Sequence, residues 1–419
     1  METREILPGV RLTACTTEKF KTGYFSINFL RPLDRAEAAM NAVLPRVLLR
    51  GTETHPDLQS LSVTMEELYG TEISTLVRKK GEVQAWGLCA DFIEDAMVGD
   101  QVFEPAAALA AELLLRPVTE NGVFREDYVQ REKEILLDAI ASVIDNKRTY
   151  AMAQMTKTMH RDEAFSVDRL GEKAEAEKIA AAPLYDHYRR ALAGSRVEIL
   201  YVGRRTADQA AETFRRVLGD LPRGEIAPVG TVHIPRAAQV QNAEEAMDVT
   251  QGVLCMGYRI GFTGADRRWP ALMMLNAVFG AGVTSKLFVN VREKQSLCYY
   301  ASSMVEKHKG EVMVNSGISF DKKELVVREI EKQLEDCRQG KISEQELESA
   351  RKQILSALKA TADFPNQLES FYLSQRIGEF PDTPGNLAEA VAAVTAEDVA
   401  AAARELTLDT VYFLKGAEA

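Results

Sequence analysis

The chain has too little histidine and cysteine, too widely scattered, to show an evident metal site. Its five histidines are His55, His160, His187, His233 and His308, and no two of them lie within five residues of each other. Its five cysteines are equally scattered and include no CxxC pair. We therefore expect neither a cysteine zinc site nor a disulfide framework, and the cytoplasm is the simplest compartment. Met159-His-Arg-Asp-Glu163 is the densest group of possible ligands, and we interpret it as a solvated helix end.

Long apolar runs and basic stripes are also missing. No apolar run approaches the roughly 20 residues that a membrane-spanning helix needs. The segment Met1–Phe20 lacks the charged-then-apolar pattern of a secretory signal. The net charge is −11, with acidic and basic residues interspersed, whereas phosphate binding requires a basic stripe. We expect no membrane and no nucleic acid as partners, and the composition is that of a soluble globular protein.

What the sequence does contain is a loose internal repeat. Val77–Val83 resembles Val305–Val312, with the basic residues and Gly-Glu-Val retained, and Gln130–Leu136 resembles Ser349–Leu355. Each half also begins with a strand and a helix and ends in an apolar strand closed by glycine. These segments are Phe25–Leu30, Ala36–Leu49 and Ile199–Gly203 in the first half, and Gly257–Phe262, Pro270–Phe279 and Tyr412–Gly416 in the second. Four matches in the same order predict a duplicated domain.

The predicted fold class is α+β. Strands flanking Gly81 and Gly310 read as hairpins, which favours mainly antiparallel sheets. Ser343 and Glu346 have the spacing of a capping box. Amphipathic helices are predicted over Ala106–Leu115, Val129–Ile144, Leu325–Arg338 and Ser343–Ala362. We expect two homologous domains, each a mainly antiparallel β-sheet covered by helices.

The domain boundary is predicted from turn-forming residues. Pro222-Arg-Gly and Ala227-Pro-Val-Gly lie in one stretch that is typical of a linker. We expect residues 1–215 to form the first domain, residues 216–240 the linker region and residues 241–419 the second domain.

The order of segments along the whole chain resembles that of the pitrilysin/insulinase zinc peptidases. A strand and a helix lead to an LLxGT-type segment, Leu48-Leu-Arg-Gly-Thr52, and then to Met65-Glu-Glu-Leu-Tyr-Gly70, a hairpin and a long charged helix. The second half adds the glycine-flanked loop Phe279–Ser285 and then Leu287–Tyr300, LFVNVREKQSLCYY. The resemblance implies the processing-peptidase-like metallohydrolase fold. It is closest to non-catalytic members of paired bacterial peptidases, one group of which, in Gram-positive bacteria, is linked by name to modification of elongation factor P.

Active members of that family carry HxxEH on the helix before the LLxGT segment. Positions i and i+4 share a helix face, so two imidazoles can chelate Zn²⁺ while the intervening glutamate activates water. Aligned on Leu48–Thr52, the histidine positions fall on Ala42 and Arg46, and the base position falls on Pro45. A methyl group cannot ligate, a guanidinium keeps its proton, and proline has no carboxylate.

The third ligand of active members is a glutamate on the later charged helix. Aligned on Glu132, its position falls on Ala139 in this chain. The resemblance therefore implies that this chain holds no metal or other cofactor and performs no catalysis in cis.

An arginine and a tyrosine seven residues apart contact the substrate backbone and the oxyanion in active relatives, and Arg292 and Tyr299 match them. A guanidinium and a phenol O–H suit developing negative charge. Ser296 replaces the family glycine between them, and Gly280 and Gly282 are expected to shape the preceding loop, since glycine admits positive φ. The purely structural alternative is that Arg292 pairs with a neighbouring carboxylate and Tyr299 packs in the core.

The pattern favours a non-catalytic, substrate-binding subunit of a heterodimeric zinc metallopeptidase. A homologous partner would carry HxxEH and the zinc, and Arg292 and Tyr299 would act in trans on a peptide held by strand addition. The alternative is a non-enzymatic peptide- or protein-binding scaffold that acts as a homodimer. A hydrolase with an unrecognised site is the third possibility, and no motif such as GxSxG supports it.

Overall fold

A computed structural model describes residues 1–417 of the chain. Its strands are β1 Glu2–Leu7, β2 Val10–Thr16, β3 Thr22–Pro32, β4 Glu72–Lys80, β5 Val83–Ile93, β6 Thr119–Glu120, β7 Val123–Phe124, β8 Arg196–Gly203, β9 Gln241–Met247, β10 Gly252–Arg259, β11 Cys298–Glu306, β12 Glu311–Ile318 and β13 Thr407–Gly416. Its α-helices are α1 Ala38–Leu48, α2 Leu58–Glu67, α3 Asp95–Val98, α4 Phe103–Leu115, α5 Glu126–Ala141, α6 Lys147–Met159, α7 Lys173–Ala176, α8 Ala181–Gly194, α9 Ala207–Val217, α10 Trp269–Phe279, α11 Lys323–Arg338, α12 Glu344–Thr361, α13 Pro365–Gly378, α14 Pro384–Ala393 and α15 Ala396–Glu405. A π-helical segment, Leu287–Lys294, precedes β11. No helix within residues 1–417 has the length and apolarity that a membrane span requires.

The described chain divides into two compact units, and each unit is discontinuous in sequence. Helix α6 comes from the first half of the sequence but belongs to unit 2, and α13 comes from the second half but belongs to unit 1. Unit 1 comprises Met1–Ala141, Val167–Gly230 and Phe364–Ile377, and unit 2 comprises Ser142–Ser166, Thr231–Asp363 and the described chain from Gly378 onward.

The two sheets share one strand order. In unit 1 the order is β1-β2-β8-β3-β5-β4, and in unit 2 it is β9-β13-β10-β12-β11. Strand β2 runs parallel to β8, and β9 runs parallel to β13. The other neighbours in both sheets are antiparallel. Apart from the additional β1, the second sheet repeats the first, which confirms the α+β architecture expected from the sequence repeats.

The sheet of unit 1 is covered on both faces. Strand side chains alternate between faces, so Phe25, Ile27 and Phe29 of β3 pack into the main core with helices such as α4 and α9. On the opposite face, Leu373 and Ile377 of α13 pack against apolar side chains of β3, β5 and β8. Helix α13 is thereby fixed on a face that the other helices of the unit leave uncovered.

A buried carboxylate also anchors α13. Glu369 is fully buried and accepts hydrogen bonds from Arg78 at 2.7 and 2.8 Å and from Ser26 at 2.6 Å. A buried charge is tolerated when it is paired and hydrogen-bonded in this way.

In unit 2, α6 takes the corresponding place on the second sheet. Ala151 and Met155 pack against Val253 and Cys255 of β10 and against Tyr412 of β13. The opposite face receives α11, where Glu331 accepts a hydrogen bond from Tyr258 at 2.7 Å. Each sheet is therefore enclosed between two layers of helix.

The C-terminal end of α6 leads into a buried ion cluster. His160 lies 3.0 Å from Glu163 and 3.2 Å from Glu311, and Arg259 donates to Glu163 at 2.7 Å. The cluster consists of six side chains that are at most 10% exposed: His160, Glu163, Arg259, Lys309, Glu311 and Asp409. The prediction of a solvated helix end at residues 159–163 is therefore wrong for His160 and Glu163, although Arg161 and Asp162 are exposed.

The cluster shifts two pKa values in opposite directions. Burial lowers the pKa of His160, but its hydrogen bonds with Glu163 and Glu311 outweigh that effect and the net pKa is raised. Burial raises the pKa of Glu163, but hydrogen bonds from His160, Arg259 and Lys309 outweigh it and hold the pKa well below its usual range.

These shifts predict that the cluster stabilises unit 2 most between the ordinary pKa values of its two groups, 4.5 for Glu163 and 6.5 for His160. Because the pKa of His160 is raised on folding, its contribution is complete below pH 6.5 and is lost as the pH rises through the folded value. Because the pKa of Glu163 is lowered, its contribution is complete above pH 4.5 and is lost in acid. Urea unfolding from about pH 2 to about pH 9 measures the loss of stability on the acid side and on the alkaline side.

His160→Gln should remove part of the alkaline decline in the free energy of unfolding. Glu163→Gln leaves buried cations without their partner and should cost about 3–5 kcal/mol. The exposed neighbour Arg161 provides the control, because Arg161→Gln should stay within about 0.5 kcal/mol of wild type. An alkaline decline that is the same in wild type and in His160→Gln would contradict this account of the cluster.

Candidate functional site

Helix α1 carries three of the positions that the family resemblance assigns to zinc chemistry. Ala42 and Pro45 are buried, and the Arg46 side chain is 44% exposed. Pro45 lies inside the helix, where its ring removes the N–H that would bond to the preceding turn. The helix nevertheless continues, because the Leu49 N–H donates to the Pro45 carbonyl at 3.1 Å.

The fourth position, Ala139, lies on α5, which packs against α1. Glu132 of α5 is buried, with 5% of its side chain exposed, and it points to the arginines of α1 and the turn that follows. Arg50 Nε donates to Glu132 Oε1 at 2.6 Å, and Arg46 Nη1 lies 3.7 Å from Oε2. Ala42, Arg46 and Ala139 are thus carried by two neighbouring helices.

These residues do not fit a zinc ion. The methyl groups of Ala42 and Ala139 and the ring of Pro45 offer no lone pair, and the Arg46 guanidinium carries a positive charge of its own. Among residues 1–417, no group of three or more histidine, cysteine, aspartate or glutamate side chains is arranged to hold a metal. No zinc-dependent step can be assigned to this set of side chains.

A buried hydrogen-bond network of amide and imidazole groups joins α1 to α8 and β5. The sequence did not predict it. His187 Nε2 donates to Asn41 Oδ1 at 2.7 Å, Asn41 donates to Gln84 at 2.9 Å, and Gln84 donates to the Ala38 carbonyl at 2.9 Å. Burial lowers the pKa of His187 to about 4, so the imidazole is neutral at pH 7. The network supports a packed helix, and no spacing in the sequence could reveal it because its members lie on α8, α1 and β5.

Arg292 lies in the π-helical segment of unit 2. Its Nε donates to the Tyr299 carbonyl at 2.9 Å, its Nη1 donates to Glu293 at 2.7 Å, and its guanidinium lies 4.7 Å from the ring centre of Phe288. The Arg292 side chain is therefore bonded to the backbone of Tyr299, the residue predicted with it from the seven-residue spacing. π-Helical turns are rare and occur frequently at functional sites.

Tyr299 is displayed at the start of β11. The register with β12 shifts between Cys298 and Tyr300, which makes Tyr299 the extra residue of a β-bulge. Tyr299 is 65% exposed, so it does not pack in the core. Within residues 1–417, neither its hydroxyl nor Arg292 Nη2 takes part in a hydrogen bond. Arg292 does pair with a neighbouring carboxylate, yet both side chains keep free donors, and their role in substrate binding stays a prediction.

Ser296 adopts the left-handed backbone that glycine would favour. Its φ is 51°, its N–H donates to the Arg292 carbonyl at 3.1 Å, and the Leu297 N–H donates to the Val291 carbonyl at 3.0 Å. These bonds close the π-helical segment and lead the chain into β11. The turn geometry is retained at the expense of strain in a residue with a Cβ.

Neither of the two loop glycines is needed for a positive φ, and of the two Gly280 is the one needed for space. Neither has a left-handed φ, so the conformational reason expected from the sequence is wrong. A Cβ on Gly280 would lie 2.5 Å from Ser303 Oγ, and the Gly280 carbonyl accepts a hydrogen bond from the Ser303 N–H at 3.0 Å. A Cβ on Gly282 would lie 2.4 Å from Gln353 Oε1, at the flexible end of a side chain. Gly280 thus allows the loop to approach β11 closely.

The strain at Ser296 predicts that Ser296→Gly stabilises the protein by about 1 kcal/mol, since a non-glycine residue in the left-handed region costs about that much. Ser296→Ala is the matched control, because it keeps the Cβ and should bring no such gain. Chemical unfolding of the three proteins measures the difference. A glycine variant that is less stable than wild type would show that the serine side chain is favourable at this turn.

Comparisons with known proteins give consistent results. Residues 178–354 match the family model described as Peptidase M16 inactive domain. The chain is 33% identical over 404 residues to the probable inactive metalloprotease YmfF of Bacillus subtilis, which covers 96% of this chain and 95% of that protein. It is similar to the crystal structure of a conserved protein from Enterococcus faecalis, with a TM-score of 0.91, 28% identity and coverage of 99% and 98%. In fold it also matches a peptidase M16 inactive domain from Pseudomonas fluorescens, with a TM-score of 0.80, 15% identity and coverage of 99% and 98%.

Proposed function

The chain is an inactive, metallopeptidase-like member of the M16 family, and on that premise we propose that it is the non-catalytic, substrate-binding subunit of a heterodimeric zinc metallopeptidase. One contrast carries the proposal. The positions of α1 and α5 that correspond to zinc chemistry hold groups that cannot ligate, whereas Arg292 and Tyr299 keep exposed hydrogen-bond donors. Loss of one function with retention of the other is the pattern expected of a subunit that serves a site on another chain.

In this proposal the partner carries HxxEH and supplies the zinc. A peptide is held in extended form through its main chain. Arg292 Nη2 and the Tyr299 hydroxyl donate to the oxyanion of the peptide under attack. The Tyr299 carbonyl and the Phe288 ring already hold the Arg292 side chain. This donor is therefore positioned before substrate arrives, which favours electrostatic stabilisation.

We place this complex in the cytoplasm. All five cysteines are free, and four of them are buried. Unpaired cysteines suit a reducing compartment.

Turnover by the reconstituted heterodimer tests the role of the two donors. Arg292→Ala and Tyr299→Phe should each lower kcat by about 10²–10³, the typical effect of removing one oxyanion donor. The effect on KM should be smaller, because the interaction is strongest in the transition state. Arg328→Ala on α11 is the matched control, since Arg328 is an exposed arginine outside the candidate site.

Unchanged turnover of the Arg292→Ala complex would contradict the in-trans role. The scaffold alternative makes a different prediction for the same experiment. If the chain only binds peptides or proteins as a homodimer, mixing it with an HxxEH-bearing homologue should leave the activity of that homologue unchanged.

A further inference from the structure

In unit 1, two arginines lie next to one buried carboxylate, close to the positions that the family resemblance assigns to zinc. The positive charge at this place therefore exceeds the negative charge by one. Glu132 faces both Arg46 and Arg50. Arg50 makes the close contacts, with Nε at 2.6 Å from Oε1 and Nη2 also in contact with that oxygen. Arg46 Nη1 lies 3.7 Å from Oε2, beyond hydrogen-bonding distance. One carboxylate is therefore shared by two guanidinium groups, and one of them takes its hydrogen bonds.

The Arg46 guanidinium is available to a ligand. Its side chain is 44% exposed, against 13% for Arg50. In the part of the chain that the structure describes, no hydrogen bond engages it. A guanidinium has five N–H donors, so Arg46 presents a cation whose donors are accessible from solvent.

The adjacent surface of α5 is apolar and not acidic. Ile135 and Ala139 follow Glu132 by three and seven residues and so share its helix face, and Ile135 is 36% exposed. Glu134 and Asp138 follow by two and six residues, which places them on other faces of the helix. Within α5, no second carboxylate therefore competes for Arg46 from this face.

We propose that Arg46 binds a carboxylate of the peptide ligand, either an acidic side chain or the C-terminal group, at the position that the family resemblance assigns to zinc. The class of ligand rests on the proposed function, whereas the charge balance rests on unit 1 alone. One guanidinium fork matches one carboxylate in a bidentate geometry. Phosphate groups are usually held by clusters of arginines, and the second arginine here is already occupied by Glu132.

The test uses this chain by itself and fluorescence anisotropy. The probes are labelled peptide pools of roughly ten residues, a length that suits extended recognition, with random sequence around one fixed central residue. The central residue is Glu, Gln or Lys, and each pool is made with a C-terminal amide and with a free carboxylate. We expect the wild type to bind a pool with a carboxylate about tenfold more tightly than its neutral counterpart, in the range of one charge-assisted hydrogen bond.

Arg46→Gln should abolish the preference, and Arg46→Lys should restore part of it. The matched control is Arg131→Gln, because Arg131 is exposed on α5 and one residue before Glu132; it should keep the wild-type preference. Since Arg46 is half exposed and Arg50 still neutralises Glu132, the Gln variant should fold, which its thermal midpoint verifies.

Two comparisons between the peptide pools identify the source of the carboxylate. A preference for central Glu over Gln in the amidated pools indicates side-chain recognition, and a preference for the free over the amidated terminus indicates C-terminal recognition. Equal binding of all pools, no binding of any pool, or a preference that survives Arg46→Gln would overturn the proposal. The turnover assay with Arg292→Ala would still decide the proposed function, because it depends on unit 2 and on the partner.

Discussion

Each of the two sheets has two faces to cover, and this requirement organises the whole chain. In unit 1 the main core lies on one face, and α13 covers the other. In unit 2, α6 fills the corresponding place. Each unit therefore takes one helix from the opposite half of the sequence, and neither half is a complete unit by itself.

The exchanged helices are held by buried charges as well as by apolar packing. Glu369 fixes α13 through Arg78 and Ser26, and the cluster around Glu163 fixes the end of α6. Burying charges incurs a desolvation penalty that apolar contacts would avoid. We interpret the ion pairs as devices that fix which helix lies on which sheet, since removing one partner would leave an uncompensated charge.

The two units share one framework but present different side chains on it. Helix α1 and helix α10 both follow the central strand of their sheet, β3 and β10. After α10, the close approach of Gly280 to Ser303, the strained turn at Ser296 and the bulge at Tyr299 together bring Arg292 and Tyr299 into one displayed pair. On α1, Ala42 and Pro45 are buried in the helix packing, and Arg46 is partly exposed.

Local sequence signals predicted the helices, hairpins and caps well, but they did not predict contacts between residues that are distant in sequence. The hairpins at Gly81 and Gly310 and the capping box of α12 at Ser343 were predictable because turns and caps are encoded within a few residues. The predicted helix Val129–Ile144 was too long, since α5 ends at Ala141 and a 3₁₀ turn follows.

The cluster around Glu163 could not be predicted, because Arg259 and Glu311 are distant in sequence and meet it only in the folded unit. The helix exchange was missed for the same reason. The spacing of Arg292 and Tyr299 was visible in the sequence. The hydrogen bond from the Arg292 side chain to the Tyr299 carbonyl and the π-helical segment that carries Arg292 were not.

The composition of the native complex decides whether this chain serves a site on another subunit. The chain should be captured under native conditions from the cells that produce it, and the co-purifying proteins and the zinc content should be measured. The heterodimer proposal predicts near-equal recovery of a homologous chain that carries HxxEH, with zinc bound to the complex. Recovery of self-dimers alone, with no HxxEH-bearing chain, would contradict it and would favour the scaffold alternative.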